Sequence, residues 1–352
     1  MNVINESCHR CTLSASHPMA RLDSAGLCAP CRREEPGGER DDRRRELYAR
    51  MESLFARTRS RRGTRVLLAY SGGKDSSWTL LQLRRRFGLN VRALTLDNGF
   101  LSETASANAA RLTSALGAEH VVVRPPFEVL RRLFSKALSA ELFPATALTR
   151  ASSVCNACIA VVKSICLREA LAHGMDIVVW GWSPGQAPLS SALFQPSRDL
   201  VAQMVDSWRS PLERALGEGA RELSFDLRVD FPDRDMPHFV SPLALMPAPE
   251  TQILSELEEL GWTQPRDVDS NSTNCRLNAL ASHQHELRHS FHPYALETAG
   301  LVRAGLLDPE VARIRMGRSC DPAELTALAD ELNLDGATRR GLRLTGKAQP
   351  LS

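Results

Sequence analysis

The stretch RVLLAYSGGKDSSWTLLQL, from Arg65 to Leu83, constrains the chain more than any other. It reads as strand, loop and helix. Val66–Tyr70 is a short apolar run, residues 71–75 form a glycine-containing loop, and a helical pattern follows to about Phe87. A helix N-terminus carries unpaired N–H groups and the positive end of a dipole, both of which suit a phosphate. Gly72 and Gly73 let the backbone approach an anion closely. Ser71, Ser76 and Ser77 add hydroxyls, and Lys74 adds charge. The spacing excludes GxxxxGK[ST], because glycines and lysine stand too close together. Without a ligand the same residues would make a plain serine- and glycine-rich turn.

The flanking sequence repeats the alternation. Strands are expected at Val91–Leu96, His120–Val123 and Ile177–Trp180, with helices over Ser102–Leu116, Phe127–Leu142 and Asn156–His173. Ser102 is a cap, and Gly117 and Gly174 are stops. A further helix near 198–216, a last strand over Phe239–Leu245 and a helix over Pro249–Leu260 complete this part. Strands alternating with helices predict a parallel sheet covered on both faces. The tail from about 293 reads as helical, with helix starts at Asp308-Pro309-Glu310 and at Asp321-Pro322-Ala323-Glu324, the latter a capping box.

The loop Ser71-Gly72-Gly73-Lys74-Asp75-Ser76-Ser77 resembles the SGGxDS loop of the PP-loop ATP pyrophosphatases, a family that includes tRNA thiolation enzymes, GMP synthetase and asparagine synthetase. The resemblance implies an α/β, Rossmann-like fold of the adenine nucleotide alpha hydrolase type. It implies that the loop holds the pyrophosphate portion of ATP while a substrate oxygen attacks the α-phosphate. Asp75 then has a Mg2+ or catalytic role beside Lys74, Ala69 and Leu96 supply adenosine contacts at strand ends, and Gly181 sits near the nucleotide.

Nine cysteines are the second strong feature. Cys8-x2-Cys11 and Cys28-x2-Cys31 match the spacing of a closed, four-cysteine Zn2+ site. An iron–sulfur cluster or two disulfides are the alternatives. A segment this short rarely folds without such a staple. The arginine-rich stretch after it contains Pro36-Gly37-Gly38, read as a linker, and turns helical from about Asp41. It offers either a grip on nucleic acid or a solvated face.

Cys155-Asn156-Ala157-Cys158 opens a predicted helix, and Cys275 lies in the polar stretch DSNSTNCRLN. A CxxC alone is ambiguous among redox pair, zinc half-site and chance. A helix N-terminus is expected to lower a thiol pKa. Together with the N-terminal cysteines and the SGGKDS loop, the arrangement resembles the iron–sulfur-dependent tRNA thiolases over about residues 1–280. That resemblance implies a 4Fe-4S cluster on Cys155, Cys158 and Cys275, with one iron left open to bind hydrosulfide and deliver sulfur to an adenylated carbon. Lys163 is placed to reach a phosphate, or else is a surface helix lysine. The chain departs from the pattern in two respects. It has no second four-cysteine site near the C-terminus, and the segment after the fourth strand is Gly181-Trp182-Ser183-Pro184-Gly185-Gln186 rather than GHxxDD. Cys166 reads as core and Cys320 as incidental, while His283, His285, His289 and His292 read as a polar helix face.

With 43% hydrophobic and 24% charged residues the chain can bury a sizeable core. No apolar run approaches the roughly 20 residues that span a bilayer, and no secretory leader is apparent, so a cytoplasmic protein without membrane contacts is expected. A net charge of +3 excludes a polycation, and an aromatic content of 5% excludes a stacking ladder for single-stranded bases. The expected organisation is a zinc module over 1–35, an arginine-rich linker and helix over 36–62, a PP-loop domain over 63–280 and a helical region over 281–352, which offers a dimer face or a lid. The leading expectation is an ATP-dependent sulfurtransferase acting on a tRNA base or a small molecule. The sulfur comes from sulfide, a persulfide or a carrier protein. The second expectation is an enzyme similar to the N-acetyl sugar amidotransferases, using ammonia. The third is a non-enzymatic RNA-binding protein with a vestigial pocket.

Overall fold

The computed structural model describes residues 7–33, 37–269, 271–318 and 320–344. Its centre is a six-stranded sheet of β1 (Val66–Ala69), β2 (Val91–Leu96), β3 (Glu119–Val123), β4 (Ile177–Trp180), β5 (Leu193–Phe194) and β6 (His238–Val240). The strand order is β3-β2-β1-β4-β6-β5, parallel throughout except for β5, which runs antiparallel to β6 at the edge.

The first helices are α1 (Ala29–Arg32), α2 (Gly37–Arg59), α3 (Lys74–Leu81), α4 (Glu103–Ala115), α5 (Phe127–Ser139), α6 (Ala145–Leu148), α7 (Ser153–Ala172) and α8 (Arg198–Leu216). Alternation along the strands sends side chains to two cores. Leu67 and Val178 join α5, α7 and α8 on one face. Val66, Leu68, Ile177 and Val179 join Met51 and Phe55 of α2, Trp78 and Leu80 of α3 and Leu112 of α4 on the other. The sheet is thus covered on both sides, and the expected Rossmann-like α/β class holds.

Short helices α9 (Leu227–Asp230) and α10 (Pro242–Leu245) precede α11 (Glu250–Glu258). The tail folds as α12 (Asn278–His289), α13 (Ala295–Arg303), α14 (Pro309–Met316), α15 (Pro322–Glu331) and α16 (Gly336–Gly341). Leu280 of α12 and Leu325 of α15 enter the α7 core. Ala295, Leu296, Ala299 and Val302 of α13 and Ala312 of α14 pack instead against Cys8, Cys11, Leu13 and Cys31. Among the described residues no helix is long and apolar enough to cross a membrane.

Several boundaries differ from expectation. The strand expected over Phe239–Leu245 ends at Val240, because Pro242 cannot donate to the ladder and opens α10 instead. Helix α2 already begins at Gly37, where a linker was expected; Pro36 lies outside the described residues. Helix α7 starts three residues before the expected Asn156, since the Ser152 side chain accepts from the Cys155 N–H and fixes the cap there. The helix after the loop passes into a π turn over Gln82–Arg86.

Candidate functional site

In an open parallel sheet, ligands bind beyond the strand ends where the strand order reverses. Here that point lies between β1 and β4, whose neighbours lead away in opposite directions. A solvent-open cleft of about 320 Å³ sits there. The ends of β1, β2 and β4 line it through Ala69, Leu96, Trp180 and Gly181.

The glycine loop forms the cleft floor. Ser71, Gly73, Lys74, Asp75 and Ser76 line it. Gly72 and Ser77 stand behind: the Gly72 carbonyl accepts from Trp262 Nε1 at 3.0 Å, and the Ser77 hydroxyl pairs with the Tyr70 hydroxyl at 3.3 Å. Gly72 has φ +73°, and a Cβ there would lie 2.2 Å from the Ala105 carbonyl oxygen, so both torsion and space require glycine. Gly181 is dictated by approach alone: a Cβ would stand 2.7 Å from Ser76 Cα. Lys74 Nζ pairs with Asp75 at 2.8 Å and Glu250 at 3.6 Å. Burial works against its ammonium, but these two carboxylates outweigh it and raise the pKa. Arg315 grips Glu250 through both oxygens at 3.0 and 2.5 Å. Burial pushes the Glu250 carboxyl up, yet Arg315 and Lys74 hold it below the ordinary value.

The stretch 271–276 ties the loop to the second cysteine group. Thr273 Oγ1 accepts from the Lys74 N–H at 3.2 Å. Two residues on, Cys275 bridges to Leu101, with the Ser102 N–H donating to the Asn274 carbonyl at 2.9 Å. Asn98 Nδ2 lies 3.6 Å from Cys158 Sγ and 3.8 Å from Cys275 Sγ. Cys155, one helical turn before Cys158 on α7, faces Asn278 Oδ1 at 3.5 Å. All three thiols are free, and Cys158 lines the same cleft as the glycine loop.

The expectation of lowered thiol pKa values does not hold for this group. Burial pushes Cys155 and Cys158 each up to about 12 and raises Cys275. Desolvation of three adjacent sulfurs outweighs the helix terminus, where Ser152 already takes the Cys155 N–H. Such thiols stay protonated at neutral pH unless a metal replaces the protons. Three thiols gathered from α7 and residue 275 are the donor type that a soft centre such as an iron–sulfur cluster takes.

The N-terminal cysteines make a closed site. Their four sulfurs all lie within 4.8 Å of one another, with Cys8 to Cys31 at 3.7 Å and Cys11 to Cys28 at 3.5 Å. A tetrahedron with metal–sulfur bonds of about 2.3 Å has corners about 3.8 Å apart, close to these two spacings, so the set suits zinc. No disulfide joins these four thiols.

No protein-family model matches the chain. An uncharacterized protein of Methanocaldococcus jannaschii, MJ1599, is 24% identical over 278 residues, 79% of this chain and 78% of that one. Among solved structures the chain is similar to the U34-tRNA thiolase NcsA from Methanococcus maripaludis with its [4Fe-4S] cluster, at 16% identity and TM-score 0.34 over 78% of this chain and 82% of that one. It is similar also to an NH3-dependent NAD synthetase from Campylobacter jejuni, at 12% identity and TM-score 0.34 over 88% and 99%. A third is an NMN synthetase from Francisella tularensis, at 14% and 0.31 over 79% and 98%. The strand order and the loop between β1 and α3 carry the Rossmann-like fold.

The remaining cleft walls were not legible as such. Helix α13 contributes Glu297, whose Oε1 accepts from Ser183 Oγ at 2.9 Å and whose carboxyl is pushed up to about 7 by burial and by the nearby Asp75 charge. Trp180 and Trp182 stack at 5.1 Å. The Lys163 ammonium stands 5.0 Å from the Trp182 ring centroid and 5.6 Å from that of Trp208. Burial brings it down to about 8, so Lys163 is a cleft cation rather than a surface one. Asn98 had only a weak signal, its place just after β2, and Thr273, in a loop, and Glu250 and Arg315, at helix ends, had none.

Two of the four histidines, His285 and His292, are buried, while His283 and His289 are half-buried. His285 is fully buried between His289 and Phe291, and burial with the neighbouring histidines pushes it down to about 3. Cys166 is likewise core, and the partly buried Cys320 thiol faces the Ala279 carbonyl at 3.6 Å.

Proposed function

We propose that this chain is a PP-loop ATP pyrophosphatase that adenylates a carbonyl-type oxygen and replaces it with sulfur. The observation that carries this reading is the presence of Cys158 in the cleft that the glycine loop floors. The N–H groups and hydroxyls of Ser71, Gly73 and Ser76 suit the pyrophosphate portion of ATP, with Lys74 matching its charge. Asp75 is the carboxylate for Mg2+, and Ala69, Leu96 and Gly181 border the adenosine. The acceptor oxygen attacks the α-phosphorus, and pyrophosphate leaves. A sulfur nucleophile then attacks the activated carbon, and AMP departs with the original oxygen. Activation is needed because a carbonyl oxygen leaves poorly and AMP leaves well.

Cys155, Cys158 and Cys275 would hold a 4Fe-4S cluster, which with three protein ligands supplies an iron free to carry sulfur. Lys163, a cation facing the cleft from the α7 side, balances negative charge on the activated acceptor. The acceptor is a tRNA base or a small molecule, and the arginines of α2 offer phosphate contacts for the former.

Anaerobic reconstitution with iron and sulfide tests the reading. A brown protein that releases pyrophosphate and forms a thiolated acceptor supports it. Zinc uptake with no iron, together with ATP-dependent incorporation of ammonia, would replace it by amidation.

A further inference from the structure

Asn98 follows β2 in the loop leading to α4, and it is buried. Its Oδ1 accepts from the Phe100 N–H at 2.9 Å. That bond fixes the orientation of the amide and turns Nδ2 toward the thiols. The two Nδ2 hydrogens then have two sulfurs to meet, Cys158 at 3.6 Å and Cys275 at 3.8 Å. These cysteines come from elements that share no local sequence: Cys158 from the first turns of α7, and Cys275 from the stretch that docks on the glycine loop.

We propose that Asn98 is the positioning residue of the three-cysteine group, holding Cys158 and Cys275 at a common spacing and donating N–H bonds to both sulfurs. The inference rests on the reading of these cysteines as the holders of an iron–sulfur cluster. An N–H donor stabilises negative charge on a thiolate, and hydrogen bonds to sulfur are one of the levers that set a cluster's potential. The third cysteine is treated differently. Cys155 faces an acceptor, Asn278 Oδ1, which also receives the Tyr294 hydroxyl at 3.0 Å. Asn278 Nδ2 is turned away to Asp269 at 3.1 Å, which fixes that amide's orientation too. The protein therefore places a donor against two sulfurs and an acceptor against the third.

The test uses the full chain, reconstituted anaerobically with iron and sulfide, as wild type, Asn98→Ala and Asn98→Asp. Iron and zinc per chain, the visible spectrum and the midpoint potential are measured. Asn98→Ala removes the donors, and its potential shifts to more negative values. Asn98→Asp keeps the size, replaces the donors by acceptors, and shifts further in the same direction. Loss of iron with zinc retained in either variant also supports the positioning role. Zinc content and circular dichroism report on folding, and Asn98→Ser supplies the measurement if the alanine variant does not fold. Variants that bind iron with the wild-type spectrum and potential overturn the inference and leave the three-cysteine reading intact. A wild type that takes up no iron overturns the reading itself.

Discussion

Arg303 Nη1 lies 3.3 Å from Cys11 Sγ, joining the end of α13 to the N-terminal cysteine site. The opposite side of the same helix carries Glu297 and Thr298 into the cleft. The N-terminal cysteine module and the cleft thus meet two faces of one helix. Removing zinc with a chelator, or substituting Cys11→Ser, is expected to lower the melting temperature and to weaken ATP binding together. Structural zinc contributes folding free energy directly, so the loss is on the order of several kcal/mol. Calorimetry of ATP binding across a chelator titration checks the coupling; an unchanged affinity in zinc-free, folded protein would refute it.

Asp75 stands in the first turn after the loop, paired with Lys74. Asp75→Ala is expected to reduce substrate-dependent pyrophosphate release by about 10²–10³-fold, the usual cost of removing one preorganised charged group. Release at the wild-type rate would refute the nucleotide assignment.

Gly181 admits no side chain, since a Cβ would meet Ser76 Cα at 2.7 Å and backbone cannot swing aside. Gly181→Ala should cost about 1–3 kcal/mol through overpacking. It should also weaken ATP binding about tenfold or more by displacing the helix start that faces the phosphate. Binding measured by fluorescence, beside a urea melt, separates the two effects.

Cys155, Cys158 and Cys275 are expected to act as a set, whereas Cys166 lies in the core away from the cleft. Substituting Ser for any one of the three should abolish iron loading while leaving zinc at Cys8, Cys11, Cys28 and Cys31. Metal analysis decides: full iron retention in all three variants removes the group from the mechanism.

Glu297 has an ordinary carboxyl pKa of 4.5 and a folded value of about 7. Between these values the folded chain binds more protons than the unfolded one, so the stability this carboxyl contributes is present below the lower value and is lost as pH rises through the upper. Glu297→Gln keeps a partner for Ser183 and removes the buried charge. It should be more stable than wild type at pH 8 by about 3 kcal/mol and equal to it near pH 4. Urea midpoints at the two pH values check the sign.

Elements set by local pattern were legible from residues alone. The β1 strand, the loop after it and the two CxxC knuckles each declare themselves within a few positions. The gathering of Cys155, Cys158 and Cys275 followed only from family resemblance, because nothing local ties α7 to residue 275. Contacts between distant positions left no mark. Thr273 meets Lys74 across 199 positions, and Asn98 meets Cys275 across 177. The thiol acidity was misjudged for a related reason. A helix terminus is visible in sequence, whereas the desolvation that outweighs it belongs to the packed site.

Cys11 and Arg303 stand 292 positions apart, yet the apolar cluster they border is shared between the cysteine module and α13. At about 5–20 residues per second, a ribosome exposes the module for tens of seconds before its docking helix exists. The four cysteines are thus available to an ion while the surface that later covers them is still unmade. If zinc fills the site, its loading precedes docking, and the cleft wall bearing Glu297 and Arg315 arrives late. A chain starved of zinc during synthesis would fail at this docking step while its sheet is already complete.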